Sequence, residues 1–330
     1  MGARQDWNTR SAALLAALSI LLAGSLAAAA HYGVSAHSWS DAWSSDEARE
    51  VVLGLRLPRA LFGAIVGGTL AVIGAAYQAL FRNPLASPFS LGVSSGAALG
   101  ASFAIFLGSR AGFGAETGSV LAAALSILII VLLSRARGLQ SQDSLLLVGI
   151  VFSFFCSSVL TLLQYMSDYA QLFRATRWML GGVPVVSWGT VVVGALLAVA
   201  TTAWLWGNHR ALDLMLFGDD FAYVKGISPR SFSRLTFIVT SIAVGWLVAQ
   251  CGVIGFVGII VPASVRLIVG LHHTRVIPVS FLMGAVLVVS CDLAGRLVTP
   301  PFEVPAGVFT AVLGGPLFVF LLLRSNREIL

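Results

Sequence analysis

Residues 56–100 read RLPRALFGAIVGGTLAVIGAAYQALFRNPLASPFSLGVSSGAALG, and this stretch decides what kind of protein the chain can be. Arg56-Leu-Pro-Arg59 leads into a long apolar segment that is rich in glycine and alanine and ends in the polar turn Phe81-Arg-Asn-Pro84. A second apolar segment follows, entered through serine and glycine residues. Apolar helices that pack through small side chains, with a polar turn between them, are typical of a membrane protein built around a pathway.

The composition of the chain requires lipid as its solvent. Of the 330 residues 58% are hydrophobic and 10% are charged, whereas soluble domains have about 25% charged residues. A soluble globule of this size has no means of burying so much apolar surface. Because one span takes about 20 residues, the chain has room for roughly ten membrane-spanning helices.

The apolar segments predict an all-α polytopic membrane protein whose single transmembrane domain covers residues 1–330. The ten predicted spans lie at about 11–31, 58–80, 91–108, 118–134, 144–165, 185–206, 232–250, 254–270, 277–296 and 307–323. Pro58 is expected at the first helical position of the second span, where its missing N–H has no cost. Residues 32–55 and the segment around Asp168 and Arg174 are expected to be polar connections. The first span is expected to be retained, since no clear cleavage site ends it.

An even number of spans places both termini on one side of the membrane. With the loops assigned in this way, twelve basic residues lie on the side of the termini and seven on the other. The positive-inside rule therefore predicts that both termini are cytoplasmic. The arginines occur singly at helix ends, which favours topology over nucleic-acid binding as the reason for the net charge of +6. Seven basic residues on the outer side is a high number that requires its own explanation.

Few ionisable side chains lie at mid-depth in the predicted spans. Asp143, Asp168, Asp292 and Glu303 fall near span ends, which argues against ion-coupled transport. Lys225 is the only lysine and does not belong to a P-loop, so any ATP energy must come from a partner. Paired catalytic groups are not visible at depth either, and the chain is therefore not predicted to be an enzyme.

No metal site is predicted from the histidines and cysteines. Cys156, Cys251 and Cys291 lack metal-ligand spacing and are expected to be small buried hydrophobic residues. His272 and His273 lie in a predicted cytoplasmic turn, where solvated side chains are expected instead of metal ligands.

Residues 207–229 form the longest polar interruption after the first loop. Residues 211–217 are predicted as a short helix that Gly218 ends, and Asp219 is expected to cap a second short helix that closes at Gly226. Short helices with apolar side chains on the cytoplasmic side fit either a groove of a partner protein or the lipid headgroup layer. The apolar and acidic side chains concerned are Leu214, Leu216, Phe217, Asp219, Asp220, Phe221 and Tyr223.

The chain resembles the permeases of the FecCD type, which serve ABC importers of iron-siderophores, heme and cobalamin. The resemblance extends over almost the whole chain and is specific for the family but much less so for the cargo. It is carried by the motifs Arg56-Leu-Pro-Arg59, Gln78-Ala-Leu-Phe81-Arg-Asn83-Pro84-Leu85-Ala, Leu91-Gly92-Val-Ser94-Ser-Gly96, Gly255-Phe-Val-Gly258-Ile-Ile-Val-Pro262 and Glu303-Val-Pro305-Ala-Gly307.

The resemblance implies the permease subunit of a type II ABC importer in the bacterial inner membrane. Such a permease works as a homodimer with its pathway at the dimer interface, and residues 211–226 match the family's coupling helices. The implied partners are two ATP-binding cassette ATPase subunits and a periplasmic substrate-binding protein. ATP and Mg would bind to the ATPase, and no cofactor is expected on this chain. The alternative is an ATP-independent secondary carrier for a bulky small molecule.

Three arginines match positions at which the family receives acidic residues of the binding protein. These are Arg56, Arg59 and Arg296, and docking would explain the many arginines predicted on the outer side. From the residues alone, snorkelling at a helix entry is the favoured explanation of Arg56 and Arg59. An i,i+4 pair with Asp292 is the corresponding explanation of Arg296.

The family's cytoplasmic gate matches a turn and a helix start in this chain. The turn contributes Asn83 and Leu85, and the start of the fifth span contributes Ser141, Gln142, Asp143 and Ser144. Asn83-Pro84 also has the sequence of a plain turn, and Asp143 or Ser144 that of a helix cap. The structural and the gating interpretations are compatible.

The chain departs from the family pattern at two places. Ala263 follows Pro262, where the family commonly has a histidine, and Asp219 and Asp220 stand where it usually has glutamate. Siderophore, heme and cobalamin permeases share the motifs of this chain, so the motifs do not select among these cargoes. The predicted spans leave the pathway with a wide lining that carries few charges. Such a lining suits a large pre-wrapped chelate better than a bare metal ion, which would need carboxylates and histidines.

Overall fold

The computed structural model describes residues 2–33, 43, 45–108, 112–134, 142–298, 300 and 302–325. All regular secondary structure in these residues is helical, and a π-helical turn, Glu50–Arg56, joins α2 to α3. The α-helices are α1 Gly2–His31, α2 Asp46–Arg49, α3 Leu57–Leu80, α4 Val93–Leu107, α5 Ala115–Leu133, α6 Gln142–Met166, α7 Tyr169–Met179, α8 Trp188–Gly207, α9 His209–Met215, α10 Asp219–Val224, α11 Pro229–Cys251, α12 Val257–Val269, α13 His273–Leu297 and α14 Ala306–Ser325.

Each of the ten predicted spans coincides with an apolar helix of the structure, namely α1, α3 to α6, α8 and α11 to α14. Seven helices of the described chain are long and apolar enough to cross a membrane. The apolar helices Val93–Leu107, Val257–Val269 and Ala306–Phe320 are shorter. The helical class and the positions are confirmed, and the number of spans stays a prediction.

Left-handed backbone sets both ends of the two shortest apolar helices. α4 lies between Gly92 and Gly108, whose φ angles are 85° and 57°. α12 lies between Phe256 and Gly270, whose φ angles are 66° and 80°. Glycine adopts such angles without a steric penalty, and they do not continue a right-handed helix. Glycines therefore mark both ends of α4 and the C-terminal end of α12, whereas the surrounding structure must hold Phe256 in this conformation at the start of α12.

The first connection is more helical than the sequence predicts. Residues 32–55 were expected to form a polar loop, but α2 and the π-helical turn occupy residues 46–56. Ser45 begins this stretch as an N-cap, because its hydroxyl accepts a hydrogen bond from Ala48 N at 3.2 Å.

Pro58 therefore lies within a continuous helical stretch, and its expected position at a helix start is wrong. A proline inside an α-helix removes one hydrogen bond, and its ring collides with the carbonyl group four residues earlier. In this chain the residues directly before Leu57 and Pro58 form a π-helical turn, which ends at Arg56.

The segment after α6 is predicted to be a polar connection, but it contains the helix α7. α7 begins with a capping box: Asp168 Oδ1 accepts a hydrogen bond from Gln171 N at 2.7 Å, and Gln171 Oε1 accepts one from Asp168 N at 3.1 Å. The pair Asp168 and Gln171 is the recognisable sequence signal for this start. The prediction missed this start because the segment is polar and lacks the long apolar run by which the other helices were located.

The described helices form two compact units. Unit 1 takes its residues from Met1–Ala75, Val183–His209 and Phe256–Leu330, and unit 2 takes them from Ala76–Gly182 and Arg210–Gly255. α3 contributes its longer first part to unit 1 and its last five residues to unit 2. That residues 1–330 act as a single permease domain stays a prediction.

In unit 1, α13 packs against α1, α8, α12 and α14. Glycines allow the backbones to approach closely: a Cβ on Gly67 would overlap the carbonyl oxygen of Gly284, and one on Gly74 would overlap that of Gly258. Small side chains fill the space between α1, α3 and α13, namely Ala29, Ala60, Ala64, Ala285 and Val289. This is the packing mode of membrane helices, which associate through small residues.

In unit 2, α4 packs against α5, α6, α7 and α11. A Cβ on Gly100 would overlap the carbonyl oxygen of Gly118, so the pair brings α4 and α5 together in the same way. The last turn of α3 is tied to α11 by a hydrogen bond of 2.6 Å between the buried hydroxyl groups of Tyr77 and Thr240.

Candidate functional site

Five charged side chains of unit 1 lie together, and we call them the arginine cluster: Arg56, Arg59, Asp292, Arg296 and Glu303. Arg59 is central, because its Nη2 donates to Asp292 Oδ1 at 2.8 Å and its Nη1 donates to Glu303 Oε2 at 2.9 Å. Asp292 Oδ2 lies 3.2 Å from Arg296 Nε. One guanidinium group therefore joins two carboxylates, and one carboxylate serves two arginines.

Two members of the arginine cluster hold the end of α1. Each donates to two backbone carbonyl groups: Arg56 Nη1 to His31 at 2.7 Å and Ala30 at 3.4 Å, and Arg296 Nη1 to Ala29 at 3.0 Å and Tyr32 at 3.3 Å. The last carbonyl groups of a helix have no partner within the helix, and cationic donors both satisfy them and complement the helix dipole. The C-terminus of α1 is thereby bound to α13 and to the π-helical turn that precedes α3.

The members of the cluster differ in exposure. Arg56, Asp292 and Arg296 are only 6%, 4% and 3% exposed. The side chains of Arg59 and Glu303 are 12% and 36% exposed, so Glu303 forms the accessible edge. The structure thus brings together the three arginines predicted to dock a binding protein. Their side chains point into the interior of unit 1 and are largely buried there. Arg296 makes the i,i+4 pair with Asp292 that the residues alone offered as its alternative.

A backbone contact positions Glu303 beside the cluster. Val304 N donates to the carbonyl oxygen of Gly295 at 3.0 Å. A Cβ on Gly295 would overlap the carbonyl oxygen of Val304, so only glycine permits this approach at the end of α13. The sequence shows Glu303 as an acid near a span end but gives no sign that Arg59 is its partner.

The predicted gate turn is a tightly bonded loop in unit 2. Asn83 Oδ1 accepts a hydrogen bond from Leu85 N at 2.9 Å, and the carbonyl oxygen of Asn83 accepts one from Ala86 N at 3.0 Å. Gln78, on the last turn of α3, donates from Nε2 to the carbonyl oxygen of Pro84 at 2.9 Å. The side chain of Asn83 thus forms the local turn expected of this residue type, while Leu85 is 52% exposed.

The second part of the predicted gate is only partly visible. Ser141 lies outside the described residues. Gln142, Asp143 and Ser144 form the first turn of α6, and their side chains also lie outside the described part of the structure. Whether Asp143 or Ser144 caps α6 therefore stays a prediction.

The predicted coupling segment, residues 211–226, contains two short helices, α9 and α10, but α9 begins and ends two residues earlier than the predicted 211–217. Gly218 separates them with a φ angle of 110°, and Gly226 closes the segment with a φ angle of 87°. The N-cap of α10 is Gly218, so the expected cap at Asp219 is wrong by one residue. Asp219 is the first helical residue, and its carboxylate contacts Arg82 instead of the helix backbone.

One face of the coupling segment is apolar and exposed. Leu212, Met215 and Ala222 anchor the two helices by burial in unit 2. Leu214 and Leu216 are half-buried. The exposed apolar side chains are Phe217 at 73%, Phe221 at 43%, Tyr223 at 71% and Val224 at 80%. Val224 is an addition to the predicted set, because its place on this face depends on how α10 is oriented.

Arg82 connects the gate turn with α10. Its Nη2 lies 3.4 Å from Asp219 Oδ1, and the two side chains are 44% and 36% exposed. Both residues belong to unit 2. The ion pair joins residues that are 137 positions apart in the sequence, and no local pattern announces it.

The histidines and cysteines correct one expectation and confirm another. His272 is exposed, but His273 is 0% exposed, so the prediction that both are solvated is wrong. His273 is the first residue of α13 and packs with the helix instead of lying in a turn. The three cysteines are buried, as predicted. Within the described chain no group of three or more His, Cys, Asp or Glu side chains could hold a metal ion.

A cavity of about 330 Å³ lies within unit 2 between α4, α6 and α7. Hydroxyl and amide side chains contribute its polar lining, namely Ser94, Ser95, Ser157, Thr161 and Gln164, and Met179 lies on its α7 side. Gln164 Nε2 lies 3.6 Å from Met179 Sδ, a weak hydrogen-bond acceptor. The lining offers neutral hydrogen-bonding groups and no formal charge.

Comparison with known proteins places these features in one family. The FecCD transport family matches residues 13–324. The hemin transport system permease protein HmuU of Yersinia pestis is 35% identical over 323 residues, which cover 96% of this chain and 95% of that protein. The vitamin B12 import system permease protein BtuC of Vibrio cholerae is 38% identical over 289 residues, which cover 86% of each chain.

Solved structures agree with the sequence comparison. An inward-facing ABC transporter assigned to the metal-chelate type superposes with a TM-score of 0.84 and 29% identity over 94% of this chain and 98% of its own. PsaBC from Streptococcus pneumoniae superposes with a TM-score of 0.53 at 17% identity, which shows a shared fold.

Relatives of this kind are membrane permease subunits of ABC transporters, in which a separate ATPase subunit hydrolyses ATP. The protein is accordingly an inner-membrane permease subunit and not itself an enzyme, and an ATPase is its partner. The match covers nearly the whole chain, and the chain belongs to the FecCD transport family.

Proposed function

We propose that this permease imports a metal chelate, such as an iron-siderophore, heme or cobalamin, from the periplasm to the cytoplasm. The support that carries the proposal is the likeness along nearly the whole chain to permeases whose names specify hemin and vitamin B12.

The proposed assembly is a homodimer of ten-span subunits with two ATPase subunits and a periplasmic binding protein. Both termini are proposed to be cytoplasmic, since the basic residues are more numerous on that side. α6 exposes Phe154, Phe155 and Tyr165, which lipid or a second copy must cover. The whole of residues 1–330 would act as one permease domain, and ATP and Mg would bind to the ATPase, with no cofactor on this chain.

The proposed contact with the ATPase is the exposed face of α9 and α10. Phe217, Phe221, Tyr223 and Val224 supply apolar side chains, and Leu214 and Leu216 lie partly exposed beside them. Asp219, Asp220 and Gly226 shape the acidic start and the end of α10. An apolar helix face fits a groove of a partner, in which its side chains are desolvated.

A substitution on this face tests the ATPase contact. Phe217→Ser should reduce the amount of ATPase that copurifies with the permease. Tyr169→Ser provides a matched control, because Tyr169 is an exposed aromatic residue of α7 at 86% exposure. Equal copurification by both variants would contradict the proposed contact and would favour a headgroup location for α9 and α10.

The proposed docking point for the binding protein is the arginine cluster. Arg59 is the first candidate, because it is the most exposed of the three arginines and its partner Glu303 is accessible. Acidic residues of the binding protein would replace Glu303 as the partner of Arg59. The buried Arg56 and Arg296 would add positive charge behind it. Charge reversal at Arg59 should weaken capture of the binding protein by the permease.

The proposed cytoplasmic gate comprises the turn at Asn83 and Leu85 and the first turn of α6 with Ser141, Gln142, Asp143 and Ser144. The gate would close the pathway while the binding protein delivers the cargo and open it during the ATPase cycle. The bonded turn supports this role, since a rigid loop moves as one piece.

Uptake into proteoliposomes tests the function as a whole. Vesicles that contain the permease and its ATPase would be supplied with binding protein and with hemin, cyanocobalamin or a ferric siderophore. We expect uptake of one of these chelates that depends on internal ATP. Uptake without the ATPase would support the secondary carrier, and ATP-dependent uptake of a bare metal ion alone would contradict the chelate cargo.

A further inference from the structure

We propose that Arg82 is a positioning residue that transmits movement of α10 to the gate turn through its contact with Asp219. The inference rests on the proposed function, since it assigns a route between the proposed ATPase contact and the proposed gate. It concerns a single ion pair, and both partners belong to unit 2.

The backbone of Arg82 is held in an unusual conformation. Its φ angle is 47°, and only Arg82 and Phe256 among the described non-glycine residues have a positive φ. A side chain in this region of backbone space is strained, so the surrounding structure must hold it there. α3 ends at Leu80, and Arg82 lies between this end and the gate turn.

The guanidinium group of Arg82 rests on the start of α10. Nη2 lies 3.4 Å from Asp219 Oδ1, and Nη1 would lie 3.3 Å from a Cβ placed on Gly218. Gly218 is buried and has a φ angle of 110°. The absence of a side chain at Gly218 therefore leaves the space that the guanidinium group occupies.

Hydrogen bonds connect the residues after Arg82, so a displacement of Arg82 would be transmitted to the whole gate turn. Asn83 is tied to Leu85 and to Ala86 by hydrogen bonds of 2.9 Å and 3.0 Å. Pro84 is tied to Gln78 on the last turn of α3 by a hydrogen bond of 2.9 Å. A shift of α10 would therefore move the turn as a unit and would not be absorbed by a flexible loop.

The exposure of the ion pair suits a moving connection. At 44% and 36% exposure the two side chains are hydrated, and such pairs contribute little to folding stability. Loss of the pair should therefore uncouple the two elements and leave the fold intact.

The experiment uses the complete complex of the permease and its ATPase in liposomes. A cysteine placed at Leu85, which is 52% exposed, reports on the gate turn through its rate of reaction with a soluble maleimide. The native cysteines are buried and should not compete. In the otherwise unaltered chain, trapping the ATPase with ATP and vanadate should change the labelling rate by about fivefold or more.

Four variants are compared in this background: Arg82→Gln, Asp219→Asn, the exchange Arg82→Asp with Asp219→Arg, and the control Glu116→Gln. Glu116 is an exposed acidic residue of α5 that belongs neither to the proposed ATPase contact nor to the proposed gate. We expect each of the first two to lose most of the ATP-dependent change while still copurifying with the ATPase. The exchange should restore at least part of the change, and Glu116→Gln should retain it.

The possible outcomes separate this inference from the proposed function. A full ATP-dependent change in Arg82→Gln, or an equal loss in Glu116→Gln, would overturn the role of Arg82. Loss of ATPase copurification in Arg82→Gln would also overturn it, because Arg82 would then act in assembly. If the unaltered chain neither captures the ATPase nor changes its labelling, the proposed coupling function itself fails, and the inference fails with it.

Discussion

The arginine cluster of unit 1 and the Arg82–Asp219 pair of unit 2 use the same chemistry under different exposure. In the cluster, the paired side chains of Arg296 and Asp292 are 3% and 5% exposed. In the pair, Arg82 and Asp219 are 44% and 36% exposed. Breaking a buried ion pair leaves an uncompensated charge, whereas water replaces a lost partner at the surface. The buried cluster should therefore hold the fold, and the exposed pair should be free to change.

The partners of the arginines lead to the same contrast. Arg59 donates to two carboxylates, and Arg56 and Arg296 each donate to two backbone carbonyl groups at the end of α1, so each cluster arginine has at least two acceptors. Arg82 has its ion pair with Asp219 at 3.4 Å, a longer distance than the 2.8 Å between Arg59 and Asp292. A group with several short contacts is costly to displace, and a group with a long contact is not.

The largest expected effect is that of Asp292→Asn. The substitution leaves Arg59 and Arg296 in a buried site without the carboxylate that they share. We expect a loss of about 3–5 kcal/mol in the free energy of unfolding. Unfolding of the purified protein in detergent would measure the loss, and a stability equal to that of the original chain would contradict the structural role of the cluster.

A smaller effect is expected for Arg56→Met, which keeps the apolar stem but removes the donors to the end of α1. The loss should be about 1.5–3 kcal/mol, the range for hydrogen bonds that involve a charged group. Hydrogen exchange should rise in the last turn of α1. Arg49→Met is a matched control, because Arg49 is an exposed residue of α2. Equal exchange in both variants would show that Arg56 does not hold α1.

Glu303→Gln weakens the accessible edge of the cluster. Because the Glu303 side chain is 36% exposed, loss of its charge should lower the free energy of unfolding by only about 0.5–1 kcal/mol. If Arg59 exchanges Glu303 for an acid of the binding protein, the substitution should also tighten capture of that protein by about threefold, because the internal competitor is weaker. A binding assay with the reconstituted permease measures this, and weaker capture would instead assign Glu303 itself to the docking contact.

The smallest effect on stability is expected for Arg82→Gln. The loss should stay below about 0.5 kcal/mol, since the ion pair is exposed. Thermal unfolding of the variant should match that of Glu116→Gln, while the response of the gate turn to ATP should differ between the two. A loss as large as that of Asp292→Asn would erase the contrast between the two regions.

Much of the fold could be predicted because its signals are local. Apolar length and composition locate the ten apolar helices, and the glycines at 218 and 226 mark the ends of the coupling segment. The failures are also physical. α7 is polar and was expected as a connection, although its capping residues Asp168 and Gln171 are present in the sequence. The π-helical turn before Pro58 has no comparable local pattern.

The candidate sites divide in the same way. The local turn at Asn83 and the pair of Arg296 with Asp292 follow from short spacings, and sequence reasoning offered both. The contact of Arg59 with Glu303 spans 244 positions, and that of Arg82 with Asp219 spans 137. Spacing along the chain carries no information about such partners, because packing of the helices decides them.

By itself, the sequence determined that the chain is a helical membrane permease, where its apolar helices lie, and to which family it belongs. These properties depend on apolar length, small residues and short motifs, all of which are read within one segment. Only the tertiary structure decided that Arg56 and Arg296 face the end of α1, that Glu303 is the open edge of their cluster, and that Arg82 rests on α10. The physical reason is that a guanidinium group bonds to whichever acceptors packing brings within reach, and those acceptors belong to distant parts of the chain.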